Sequence, residues 1–245
     1  MNLLAFGLIL ICSHAWAIVI NDNFEVKAEL ASISSKLKDA LNGPLREAIK
    51  NGDSGLGIPP MDPFTADEMP IKINAKALQT ALNGELTNVR AEDLSKYTVN
   101  SASFKLFGLK LHMDLSWPLV SGSSNYIGNG TVLNHEIYGN GEMNGNAQNL
   151  RFVIDIKFKL KKGYARISTI SSSISLGALD FHATGLYHDD ERSKETSILI
   201  SNRLPKLIQE RQKDFTNYIN DVITVNTNQY LSSIKLKELL KKLGL

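Results

Sequence analysis

A chain of 245 residues with 27 Lys and Arg against 25 Asp and Glu is close to electrically balanced, at +2. Such a balance gives no footing for nucleic-acid binding, which needs a concentrated basic face. The only cysteine is Cys12, and its place in an apolar leader removes disulfides, thiolate nucleophiles and thiolate metal ligands from the mature chain.

Leu3 to Cys12 is a short apolar run, and Ala15-Trp16-Ala17 has the small-x-small form of a signal-peptidase site. The run is about half the length that crosses a bilayer as a helix, so residues 1–17 read as a cleaved signal peptide. No Lys or Arg precedes it. Residues 18–245 are then expected to form one domain, secreted and without a transmembrane segment. A chain of that size buries roughly 70% of its unfolded surface.

Apolar residues recur at helical spacing from Val26 to Lys50, at Leu30, Ile33, Leu37, Leu41, Leu45 and Ile49. Gly43-Pro44 should divide this helix and Asn51-Gly52 should end it. Ile58 to Phe64 reads as a stiff extended segment whose prolines keep it out of a sheet interior.

From Met69 onward the period becomes two. Leu109, Leu111, Met113, Leu115 and Trp117 alternate with polar residues, and the phase slip at Phe107-Gly108 predicts a β-bulge in one long strand. The clearest strand is Leu150 to Lys162, with Phe152, Ile154, Ile156, Phe158 and Leu160 on one face. Weaker strands are expected at Thr131 to Tyr138 and Tyr164 to Phe181. The Gly- and Asn-rich stretch from Gly139 to Gln148 reads as a hairpin turn. Its Gly139, Gly141 and Gly145 miss the dinucleotide-loop spacing and have strands on both sides.

A second helix is expected from about Ser201 to Gln229, its stripe carried by Leu204, Ile208, Phe215, Ile219, Val222 and Tyr230, with Pro205 in the first turn. It would be on the order of 40 Å long. Lys235 to Leu243 reads as a short basic amphipathic helix that caps the domain, with weak contact to a membrane surface as the alternative.

Little here points to catalysis. His112, His135, His182 and His188 show no metal-ligand spacing on one helix, and Ser171, Ser172, Ser173 and Ser175 lie in a strand pattern without a nucleophile elbow. No cofactor is expected. Asn129-Gly130-Thr131 is a glycosylation sequon, so Asn129 is a candidate glycan site.

The dry strand faces must be covered, and the C-terminal helix is the element long enough to do so. The two meet either as a fully packed core or around an apolar tunnel. A tunnel would bind by apolar burial at roughly 0.8 kcal/mol per methylene. Its expected wall is Leu111, Met113, Leu115, Phe152, Ile154, Ile156 and Phe158 from strands, with Ile208, Phe215, Ile219 and Val222 from the helix. Tyr126 and Trp117 are candidates for a polar boundary.

The order of landmarks resembles the insect takeout and haemolymph juvenile-hormone-binding protein family. The landmarks are the leader, the amphipathic helix, Gly57-Ile58-Pro59-Pro60-Met61-Asp62-Pro63-Phe64, Trp117-Pro118, Tyr126, Gly139-Asn140-Gly141 and the terminal helix. The resemblance spans essentially the whole mature chain, and the Ile-Pro-Pro run is its most specific piece. It implies an α+β fold of the tubular lipid-binding type, in which a strongly curved antiparallel sheet wraps a long C-terminal helix and encloses an apolar tunnel. It further implies a non-enzymatic secreted carrier of one small hydrophobic ligand, such as a terpenoid hormone or fatty acid. A lipid-sensing membrane-surface protein without a carried ligand is the rival. The family's cysteine pair near the mature N-terminus is missing, which argues against juvenile hormone itself as the ligand.

Overall fold

The structure is a computed structural model, described for residues 26–54, 59–105, 108–233; the leader, Cys12 and the 235–243 segment lie outside the described residues. Helix α1 spans Val26–Asn42 and α2 spans Pro44–Asn51. They are divided at Gly43-Pro44, as the sequence predicts, because proline is accepted at the first position of a new helix but not inside an old one. Leu37, Leu41, Leu45 and Ile49 are all buried; the side chains of Leu30 and Ile33 lie outside the described residues.

Seven strands follow: β1 Phe64–Ala75, β2 Thr80–Glu92, β3 Thr98–Lys105, β4 Lys110–Val132, β5 His135–Lys161, β6 Tyr164–Ser175 and β7 Ala178–Ala183. They form one antiparallel sheet in the order β1-β2-β4-β5-β6, with β3 on β4 and β7 on β5. Helices α3 Asp190–Glu210 and α4 Gln212–Ser233 close the chain.

Three expectations are corrected. Gly108 is not in a bulged strand: Lys105 pairs with Lys110 across a hairpin, with Gly108 and Leu109 in the left-handed region (φ 86° and 49°). Gly139 to Gln148 is not a turn but the interior of the 27-residue β5. The reversal lies earlier, at Leu133-Asn134, whose φ values of 52° and 65° suit a two-residue hairpin turn. The glycines serve close approach instead, since a Cβ on Gly139 would strike the Gly185 carbonyl. Finally, the C-terminal helix is two helices broken at Arg211, and it begins at Asp190 rather than Ser201. Asp189 caps it by accepting from the Arg192 amide (3.0 Å), and Asp190 and Glu191 suit its first turn. Pro205 therefore sits inside α3, not in its first turn.

Ile223 and Leu231 of α4 enter the core, while along the sheet edge these helices are fastened by polar side chains. The outer edges of β6 and β7 carry backbone groups that no strand takes up. Ser197 accepts from the Ala183 amide at 3.0 Å and Ser201 from the Phe181 amide at 2.9 Å. On α4, Asn228 accepts from the Ile167 amide at 2.8 Å, and Gln212 both accepts from and donates to the Ile174 backbone, at 2.9 and 2.6 Å. A stripe of Ser, Gln and Asn thus takes the place of an eighth strand.

Packing divides the long sheet in two. In β4 the buried apolar positions through Leu115 are odd-numbered, whereas farther along Ser124 and Tyr126 are covered and Ile127 and Asn129 exposed. β5 changes parity opposite this point, between Ala147 and Leu150. The change falls at Pro118, which has no amide to donate, and at Asn149, whose φ of 51° is left-handed.

Candidate functional site

On the α1 side of Pro118 the interior is filled. Leu37, Leu41, Leu45, Met61, Tyr97 and Phe104 pack with Leu111, Met113, Leu115, Phe152, Ile154, Ile156, Phe158, Ile223 and Leu231 in one cluster. Tyr97 donates its hydroxyl to the Leu41 carbonyl at 2.5 Å and stacks edge-on with Trp117 (5.9 Å between rings). Burial pushes the Tyr97 phenol up to about 12. Trp117 donates to the Leu94 carbonyl at 2.9 Å. It belongs to this packed end.

Beyond Pro118 the sheet curls around a cavity of about 240 Å³ with an almost wholly apolar wall. Ile71 of β1, Leu82 of β2, Tyr126 and Val132 of β4, Ile137 and Met143 of β5, Phe181 and Ala183 of β7, Leu186, and Ile200 of α3 line it, together with Asn83, Gly128, Asn129 and Tyr138. Gly128 and Ala183 are the small residues of its wall, while Gly139 and Gly141 are crowded by the backbone of Gly185 and Thr184.

The turn from β7 into α3 closes around one end. The Tyr126 hydroxyl donates to the Thr184 carbonyl at 2.7 Å, and burial pushes its pKa up. The Tyr187 amide donates to the Tyr138 carbonyl at 2.8 Å. The two rings meet edge-to-face at 5.3 Å, and Arg192 lies 4.0 Å over Tyr187.

The expected wall residues do not line this cavity. The seven strand residues Leu111, Met113, Leu115, Phe152, Ile154, Ile156 and Phe158 come together, but in the packed cluster. Of the helix residues, Ile208 is buried, Ile219 packs against that cluster, and Phe215 and Val222 are half-buried. Tyr126 is the expected boundary residue that does reach the cavity. Leu82, Met143, Phe181 and Ile200 went unselected, although period-two alternation at Leu82 and Phe181 was a usable signal.

Polar chemistry lies on the outer sheet face. Asp114 accepts from Arg151 at 2.9 and 2.6 Å and from Asn100 at 2.9 Å. The Arg151 hydrogen bonds, aided by Asn100, outweigh the effect of burial and hold the Asp114 carboxyl at about 2. Because the folded pKa lies below the ordinary 3.8, this group's contribution to stability is complete above that pH and is lost as pH falls toward 2. The acid arm of a urea-midpoint titration should therefore flatten in Arg151→Gln, whose Asp114 would titrate higher. Ser101 Oγ, His112 Nε2 (2.9 Å), His112 Nδ1 and Asp155 Oδ1 (3.0 Å) are connected in the order of a hydrolase relay. They stand on a strand surface with Asp155 exposed to water. Among the described residues no three His, Cys, Asp or Glu side chains group as a metal site.

Residues 8–241 match the sequence model of the haemolymph juvenile hormone binding protein family. The chain belongs to this juvenile hormone binding protein family. The crystal structure of Takeout 1 from Epiphyas postvittana is similar to it, at 16% identity over 85% of this chain and 94% of that one, with a TM-score of 0.57. That likeness shows the takeout fold: an α+β arrangement of a strongly curved antiparallel sheet and C-terminal helices. A lipopolysaccharide binding protein structure matches more remotely, at 14% identity, 82% of this chain, 39% of that one and a TM-score of 0.34. No curated protein sequence matches the chain. Among the described residues of this family member, no helix is long and apolar enough to cross a membrane.

Proposed function

We propose that the protein is a secreted, non-enzymatic carrier that holds one small hydrophobic ligand in the cavity between α3, β7 and the far halves of β4 and β5. The almost wholly apolar wall of that cavity carries the reading. At about 240 Å³ it falls a little below the roughly 300–1,000 Å³ usual for ligand pockets, which favours a compact terpenoid or a short acyl chain. Binding there would come from removing apolar surface from water, with no charged contact required.

In this reading residues 1–17 are a signal peptide and residues 18–245 one ligand-binding domain. Asn129, exposed on β4, would carry the glycan. The expected wall residues from Leu111 to Phe158 and from Ile208 to Val222 act as the solid backing that fixes one half of the sheet while the other half stays hollow. The haemolymph family name supports secretion and a binding role.

Native mass spectrometry of secreted protein, followed by organic extraction, tests this. A stoichiometric neutral or acyl lipid is expected. Protein that carries no extractable lipid and gives a fluorescent fatty-acid probe no saturable site would overturn the carrier reading.

A further inference from the structure

The near-zero net charge conceals a local concentration. Segments 105–110 and 156–169 contain Lys105, Lys110, Lys157, Lys159, Lys161, Lys162 and Arg166, and no Asp or Glu. All seven are exposed. The register gathers them at one end of the sheet. Lys105 pairs with Lys110, Lys110 with Lys157, and Lys159 with Arg166.

Like charges directly opposite each other on neighbouring strands are destabilising. Three exposed arginines elsewhere in the molecule have acidic partners: Arg151 with Asp114, Arg90 with Glu92, and Arg203 with Glu210. None of the seven takes part in the ion pairs found among the described residues. Three successive like-charge pairs at one sheet end are a poor choice for the fold alone.

An apolar group stands among them. Leu160, between Lys159 and Lys161, is 51% exposed at the projecting β5–β6 hairpin.

We propose that the β3–β4 and β5–β6 hairpin ends form a docking surface for an anionic lipid membrane, with the lysines at the headgroups and Leu160 entering the interface. A soluble polyanion would answer the charge but leave Leu160 without a role. Docking by this end leaves the cavity at the opposite, far end of β4 and β5, directed away from the bilayer. The proposal is independent of whether a ligand is carried.

The test uses the full secreted chain and phosphatidylcholine vesicles with and without phosphatidylserine. Binding should require phosphatidylserine and weaken as salt rises. Each cation near an anionic surface is worth roughly a five-fold change in affinity, so K157Q/K159Q/K161Q should bind about a hundredfold more weakly. That variant should melt no lower than the parent, because repulsion among the paired cations is relieved; a clear fall would show that the lysines serve the fold and would overturn the proposal. Leu160→Ser should weaken vesicle binding and leave heparin binding unchanged. Vesicle binding unaltered in the triple lysine variant, equal binding to neutral vesicles, or heparin binding without vesicle binding would each overturn it.

Discussion

Asp62→Ala should lower the melting temperature by about 6–12 °C, the equivalent of roughly 3 kcal/mol in a domain of this size. Asp62 stands in the Pro-Pro-Met-Asp-Pro segment, and its carboxylate accepts from the Asp93 amide at 2.7 Å, the Ser95 amide at 2.9 Å and the Ser95 hydroxyl. Burial alone would raise its pKa, but the bonds from Ser95 and Asp93, with Lys96 nearby, bring it below the ordinary value.

The consequences reach the core on both sides of Asp62. Met61 is 4% exposed, and its amide donates to the Ile49 carbonyl at 2.7 Å. Ser95 lies two residues before the buried Tyr97 and next to Leu94, whose carbonyl holds Trp117. Removing the carboxylate unties the strap from the β2–β3 connection and leaves buried Ser95 without its acceptor. Asp62→Asn keeps the shape but loses the charge assistance, so it should fall between the parent and Asp62→Ala. With the folded pKa depressed, the parent's advantage over Asp62→Asn is present above the usual carboxylate range and disappears as pH drops through the folded value. Thermal melts at neutral and acid pH check both statements; equal melting of all three proteins would refute them.

Signals carried by short-range periodicity were legible in the sequence, and those carried by long-range pairing were not. Leu37, Leu41, Leu45 and Ile49 repeat at helical spacing, and Gly43-Pro44 divides them by local sterics alone. Phe152, Ile154, Ile156 and Phe158 alternate with Val153, Asp155 and Lys157, and all four even positions are buried. By contrast, Gly139, Gly141 and Gly145 have the composition of a turn. Their reason lies forty residues away, in the β7–α3 turn whose carbonyls crowd Gly139 and Gly141. The first three turns of α3 were missed because their sheet-facing residues are Ser193, Ser197 and Ser201. They fasten to a strand edge by hydrogen bonds, and an apolar count does not register them.

The same distinction explains the site. The most hydrophobic, best-alternating residues were expected to line the tunnel, yet strong hydrophobicity with large side chains fills space. A cavity is written in the opposite way, as small residues facing inward where a regular strand would place large ones. Gly128 and Ala183 are the small residues in the cavity wall, and their place there becomes readable only once the register aligns them.

Two substitutions turn this into a contrast with opposite outcomes. Leu111, 1% exposed in the packed cluster, should cost about 2–5 kcal/mol when cut to alanine, through lost burial and the void left behind. Ligand affinity of the folded Leu111→Ala protein should stay within about threefold of the parent, since the packed end lies apart from the cavity. Ala183→Leu reverses the pattern. Ala183 is 2% exposed at the cavity wall, and three added carbons enter space that the ligand requires. Overpacking there should cost about 1–3 kcal/mol at most, while a saturable hydrophobic probe should lose at least about tenfold in affinity, equivalent to 1.4 kcal/mol. Chemical denaturation and probe titration on the same samples give both readouts. If instead Leu111→Ala abolishes binding and Ala183→Leu leaves it intact, the ligand lies among the large strand residues. The hollow beneath α3 would then be a packing defect, and the carrier would work through a core that opens to admit its cargo.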